Sequence, residues 1–275
     1  MADFPVRLRH HDAAQHREEL ARAINMADYA LEISKGNVTG TSGVNKFGRN
    51  TDVDTALEAV WDGGGTSMYL PTSTWSATAN ITDLVSSSTS DNGLTVEIQG
   101  LDTNWAAVTQ TKTLGTPATT SVDLDTPLIR VFRMKNPGGT AYTGTIQCGA
   151  GNASSAFSAA NLRAQITIGF DQTLMALYSI PASATGYLTS WGASLNKGTP
   201  ASGGVTTILW ARTFGGVFRV QDTRSLMVTG TSAPEPRIYN PYPSYSAKTD
   251  ILVTAQGSTS NFDVSAGFDL ILVDN

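Results

Sequence analysis

From Ile81 to the last residue the chain is a succession of short runs rich in β-branched and aromatic residues, each cut off by glycine, proline, asparagine or aspartate. "GLTVEIQG", "PLIRVFRMK", "GTIQCG", "LRAQITIG", "TLMALYSIP", "YLTSWGASL", "VTTILWART", "GVFRVQD", "SLMVTG" and "DILVTAQG" all have this form, and flanking candidates bring the count to about a dozen. No helical periodicity separates them, so nothing is available to make parallel crossovers. Turns such as Asp91-Asn92-Gly93 and Asn136-Pro137-Gly138-Gly139 offer residues that tolerate positive φ and a proline that presets a turn. The expectation is a mainly β fold, an antiparallel β-sandwich or jelly-roll body of one or two sandwiches. In the final stretch, "NFDVSAGFDLILVDN", Val264, Ala266, Phe268, Leu270 and Leu272 alternate with polar or small residues, which predicts a half-buried strand.

The N-terminal part reads differently. Asp12 with Gln15 three residues on forms a start signal, glycine and proline are absent as far as Lys35, and Gly36 stands where a terminating glycine belongs. We expect one α-helix over 12–35. Leu20, Ile24, Ala27 and Leu31 follow a 4-3-4 spacing, a narrow seam suited to bundling with copies, to anchoring on a larger body or to docking on the chain's own β body. The chain is thus divided into an arm and helix (1–36), a polar connector or junction (37–80) and two β portions (81–155 and 156–275), with "GAGNASSAFSAAN" at 149–161 as the divide.

Only 15% of residues are charged, and the net charge of −5 gives no basic field for a phosphate backbone, so nucleic acid is not an expected partner. No run approaches a membrane span and no signal-peptide core opens the chain, so membrane is not expected either and synthesis is placed in the cytoplasm. The single cysteine, Cys148, reads as a small buried hydrophobe.

Catalytic signals are weak. His10, His11 and His16 all precede the β region, which excludes the usual His-dependent hydrolase arrangements there. The glycine runs at 63–65 and 203–204 lack a following Lys-Ser/Thr pair and read as turns. "NTDVDT" spaces Asn50, Asp52 and Asp54 like the start of a calcium loop, but Thr55 stands where glycine is needed and Trp61 where the bidentate glutamate belongs. Capping of a helix or turn by Asp52 and Asp54 is the simpler reading, with Phe47, Trp61 and Tyr69 as anchors. Glu97 and Glu235 are the only glutamates after Glu58, a thin basis for a glycosidase pair. No catalytic, cofactor or metal residues are assigned. Tyr239, Tyr242 and Tyr245, in the proline-containing run "RIYNPYPSYSAKTD", form a candidate loop for a ligand, such as a host surface glycan, or for a partner subunit.

"FGRNTDVDTALEAVWDGGG" followed by "SSSTSDNGLTVEIQGLDTNWAAVTQTKTL", then "SIPASATGYL" and "SAGFDLILVDN", resembles virion structural proteins of tailed bacteriophages. The resemblance covers most of the chain after about residue 44 and implies a non-enzymatic capsid-decoration, head-fibre or tail-associated subunit. It also implies a homotrimer located in the virion, with capsid, portal or tail proteins as partners. A glycan-binding adsorption module is the alternative.

Overall fold

In the computed structural model the described residues are Arg17, 29–63, 69–196, 202–228 and 236–275. The chain divides into two units, residues 1–43 and 44–275. In the first, 29–34 are helical and Gly36 adopts φ 76°, its N–H donating to Ile33 while Asn37 N–H donates to Glu32, so the glycine ends the helix as the sequence predicts. Arg17 is helical and exposed. Leu31 of the predicted seam is half exposed, whereas Leu20, Ile24 and Ala27 lie outside the described residues, as do the three histidines.

Strands make up most of the rest. In chain order they are β1 (Thr41–Val53), β2 (Glu58–Ala59), β3 (Ile81–Ser86), β4 (Thr95–Leu101), β5 (Ala107–Thr113), β6 (Val122–Leu128), β7 (Arg130–Lys135), β8 (Ile146–Gly149) and β9 (Leu162–Ile166). Then come β10 (Leu177–Ser179), β11 (Ala184–Asn196), β12 (Gly204–Thr213), β13 (Arg219–Met227), β14 (Arg237–Ile238), β15 (Ser244–Tyr245), β16 (Thr249–Gly257) and β17 (Phe262–Asp274). Two five-stranded sheets form a larger sandwich: one runs β1-β17-β11-β14 with β15 also on β11, the other β10-β16-β12-β13 with β2 also on β16. A four-stranded sheet, β6-β3-β8-β9, and a three-stranded one, β5-β4-β7, form a smaller sandwich. Every registered pairing is antiparallel. The protein is therefore a mainly β, antiparallel sandwich fold with a short helix near the N-terminus.

The smaller sandwich is inserted into the larger one. β2 pairs with β16 through Ala59↔Thr254, and β10 pairs with the same strand through Leu177↔Leu252. Between them Ala176 N–H donates to Val60 O, Val60 N–H to Val253 O and Val253 N–H to Ala176 O, so the segments leading into and out of the insertion lie side by side. This corrects two boundaries drawn from sequence. The 149–161 run does not divide the sandwiches; it joins β8 to β9 inside one sheet, where Gly149 faces Leu162. The polar 37–80 connector supplies β1 and β2 of the larger sandwich.

Alternation explains most of the core. In β17, Phe262, Val264, Ala266, Phe268, Leu270 and Leu272 are buried and the intervening residues are not, as the sequence predicts. Val205, Leu209 and Ala211 of β12 alternate likewise, and both sets belong to one hydrophobic cluster. β16 is buried on both faces from Thr249 to Ala255; it contacts β17 of the facing sheet, and Arg130 of the inserted sandwich reaches its Asp250. Its Asp250, fully buried, ties the parts together. Arg130 of β7 donates to it from Nε (2.8 Å) and Nη2 (3.0 Å), Arg212 of β12 from Nη2 (2.7 Å) and Ser179 of β10 from Oγ (2.5 Å). Arg130 also stacks over Trp75 and Trp105, at 5.3 and 5.0 Å from the ring centres.

β1 places polar or small residues inward over most of its length: Lys46, Gly48 and Asn50 are its buried positions ahead of Val53. Asn50 donates to Glu58 Oε2 and Ala59 O, while Glu58 Oε1 accepts from Asp54 N–H. Asp54 accepts from Asn261 N–H, and "TALEAVW" forms β2 rather than a capped helix. The "NTDVDT" run is thus held by protein groups. Lys46 donates to Phe132 O and lies 5.9 Å from the Phe132 ring centre, with no carboxylate as partner among the described residues. Burial, aided by the nearby Arg133 charge, lowers its pKa to about 7. An unfolded lysine titrates near 10.4. Between about pH 7 and pH 10 the unfolded chain therefore holds a proton here that the folded chain lacks, and stability at this site rises with pH through that window. Lys46→Met is expected to stabilise the protein by about 1–4 kcal/mol at pH 7. The gap to the unaltered protein should narrow as pH approaches 10. Urea unfolding at pH 7, 8.5 and 10 checks both, and a destabilised variant would count against this reading of Lys46.

Candidate binding trough on the outer sheet face

Because β1 turns its even-numbered residues inward, Asn45, Phe47, Arg49 and Thr51 project outward. Beside them run the outward positions of β17 and β11, which are small: Ser265 and Gly267, Gly192 and Ser194. The small side chains leave a concave trough of about 430 Å³, with Phe47 and Arg49 on one side and Phe170, Leu174 and Pro236 on the others. Gly267 is required for the floor, since a Cβ there would come within 2.6 Å of Lys46 O. Phe47 is 38% and Phe170 45% exposed, so two aromatic rings border the trough with their faces partly open to solvent. Sequence reasoning made Phe47 a buried anchor along with Trp61 and Tyr69. Those two are buried, edge to face at 5.3 Å, but strand alternation puts Phe47 outside.

A second, smaller cavity of about 130 Å³ shares Arg49, Phe170 and Leu174 with the trough and is further lined by Asn50, Thr51, Asp52, Trp61, Asp62 and Thr167. Arg49 is fixed in place by Asp263, to which Nε donates at 2.9 Å and Nη2 at 2.5 Å. Asp62 occupies the turn after Trp61, where its own N–H donates to Leu174 O. Its Oδ2 accepts from Thr167 N–H at 3.4 Å, while Oδ1 is buried and has no hydrogen-bond partner among the described residues. Burial raises the carboxyl to about 7, against the lowering effect of the Thr167 backbone N–H that donates to it. Near neutral pH such a group both accepts and donates hydrogen bonds. Together the two cavities offer aromatic stacking surface, a flat floor and a buried carboxyl at one end, which is equipment for holding a ligand.

The tyrosine run behaves otherwise. Tyr239 donates from its hydroxyl to Asp222 Oδ2 at 3.1 Å, and Tyr245, buried, donates to Gln221 Oε1 at 3.3 Å. Asp222 also accepts from Trp191 Nε1 and Arg237, so this loop closes the seam between β11 and β13. Only Tyr242 of the three remains well exposed. Glu97 pairs with Lys135, and Glu235 lies outside the described residues. Cys148 is fully buried between strands β3 and β9, its thiol pushed up to about 12 by burial. Among the described residues no group of three or more His, Cys, Asp or Glu side chains is arranged to hold a metal ion.

Comparison with protein-family models finds no match, and comparison with curated proteins finds none either. Among solved structures, a chain in the structure of infectious bursal disease virus Gt strain aligns with 12% identity over 86% of this chain and 75% of that one, at a TM-score of 0.14. A likeness that slight carries no argument.

Proposed function

We propose that this chain is a non-enzymatic structural component of a tailed-phage virion, an oligomeric decoration or fibre-type subunit made in the host cytoplasm and assembled with capsid, portal or tail proteins. The observation that supports this reading best is an apolar strip along β13, the end strand of its sheet among the described residues. β13 ends its sheet, and Val217, Val220 and Met227 along that hairpin are about half exposed or more, as is Ile238 on the adjoining β14 segment. Val217 reaches 71% and Ile238 76%. The two segments are stitched together by Arg237 and Tyr239 on Asp222, so these side chains line one seam. An unpaired strand edge with apolar side chains is a surface that assemblies cover. Its partner in this reading is the same seam of other copies, and the sequence resemblance supplies the trimer.

Light scattering on the full chain is expected to give the mass of three copies of the 29.0 kDa chain. Val220→Asp with Ile238→Asp should reduce it to one copy while leaving the circular dichroism of the β body unchanged. A full chain that stays at one copy at every concentration, and that purified particles do not contain, would refute the assignment.

A further inference from the structure

We propose that the trough on the outer face of the β1-β17-β11 sheet, with the Asp62 cavity at its end, is a saccharide-binding site. Three features of the geometry converge on a sugar. A pyranose ring has an apolar C–H face, and Phe47 and Phe170 present open aromatic rings at the margin of a trough of about 430 Å³, room for one or two such rings. The floor of Gly192, Ser194, Ser265 and Gly267 is flat and small, so a ring lies on it without displacing a side chain. At the end stands Asp62, whose Oδ1 is buried and lacks a hydrogen-bond partner among the described residues, while the Thr51 and Thr167 hydroxyls and the Arg49 guanidinium line the same small cavity.

Thr51, Asp52, Asp62 and Thr167 line the small cavity and offer hydrogen-bonding groups of the kind that ligand hydroxyls pair with. Hydroxyls suit this end better than a ligand ammonium group does, because Arg49 already brings a cation there. They suit it better than a phosphate, because Asp52 and Asp62 bring carboxylates. The Tyr239–Tyr245 loop takes no part, since none of its residues lines either cavity. The inference does not depend on the virion assignment: a saccharide site would stand on a monomer as well as on a trimer.

Saturation-transfer NMR on the full chain, with the methyl glycosides of glucose, galactose, mannose and N-acetylglucosamine as probes, tests the proposal. At least one probe is expected to receive saturation, chiefly on ring protons of one face. Phe170→Ala should weaken the response by up to about tenfold, roughly the loss of one stacked ring, and Asp62→Ala, which removes both carboxyl oxygens, should weaken it by about as much. Tyr242→Ala should leave it unchanged. Gly192→Leu is a second way to close the trough, because a Cβ at Gly192 meets nothing nearer than Pro236 at 3.4 Å and the backbone has no need to move. It should abolish binding in a protein that melts normally. Absence of saturation for all four probes at tens of millimolar, or a response that survives both Phe170→Ala and Gly192→Leu, would overturn the site. Neither result bears on the oligomer mass that tests the virion reading.

Discussion

Replacing Asp250 with asparagine is expected to destabilise the protein by about 3–5 kcal/mol. The substitution preserves size and removes only the charge. What remains is Arg130, 3% exposed, and Arg212, both cationic and both having lost the carboxylate to which they donate. Neither guanidinium can shed its proton at any ordinary pH. The loss is therefore the cost of two desolvated cations left at the site of one lost carboxylate, offset in part by the aromatic rings of Trp75, Trp105 and Phe218 on which they stack. Arg130→Met should cost less, because Asp250 retains Arg212 and the Ser179 hydroxyl. Changing all three members of the charged set to apolar residues, Arg130→Met, Arg212→Met and Asp250→Leu, should recover much of the loss, since a well-packed apolar replacement of a buried ionic set is often neutral. Urea unfolding of the four proteins orders them. Asp250→Asn falling within about 1 kcal/mol of the unaltered protein would show the network to be far more hydrated than its burial implies.

The second large effect comes from a single methyl group. Gly48→Ala should destabilise by at least about 3 kcal/mol. A Cβ at Gly48 would stand 2.2 Å from Val60 O and 2.3 Å from Ala176 N, and those two atoms are themselves hydrogen-bonded to each other. Both neighbours are backbone, so no rotamer change relieves the clash. Either β1 moves off the sandwich or the bond between the two segments breaks, and the second event opens the place where the inserted sandwich joins the larger one. Gly192→Ala, in the outer face of the same sheet, is the control: its Cβ meets only Pro236 at 3.4 Å and the change should be close to neutral. Thermal melts of the two variants decide it, and equal melting temperatures would remove the steric account of Gly48.

These two residues also show why the sequence was readable in some places and opaque in others. β17 was legible because its inward residues are apolar at strict alternation. β1 was not, because its inward set ahead of Val53 is Lys46, Gly48 and Asn50, chosen for a carbonyl, a close backbone approach and a glutamate contributed from elsewhere in the fold. A period-2 pattern written in polar and small residues looks like a connector. β13 was divided into two runs, "GVFRVQD" and "SLMVTG", because its polar middle, Asp222 to Arg224, reads as a turn until the β12 partner is known.

The candidate site was hidden for a related reason. Its aromatic rings are single residues 123 positions apart, Phe47 and Phe170, and its floor is glycine and serine that read as loop. Asp62, ahead of three glycines, carries no local sign that one oxygen is buried. A cluster of tyrosines drew attention instead, yet Tyr239 and Tyr245 spend their hydroxyls on Asp222 and Gln221. The one available signal was the Gly192, Ser194, Ser265, Gly267 set, small residues at alternate positions of two long strands, which marks a sheet face that something approaches closely.

The nesting of one sandwich inside the other sets an order of events on the ribosome. β3 to β9 can pair as soon as residue 166 has emerged, since every partner lies between 81 and 166. β1 must wait for β17, more than two hundred residues later, and β2 for β16. Local pairings close early and distant ones late. The nascent chain therefore carries a finished inner module while its first described strand, with Lys46 and Gly48 bare, remains without a sheet until residue 274 has emerged. Pulsed hydrogen exchange should find amides of 81–166 protected before those of 249–274.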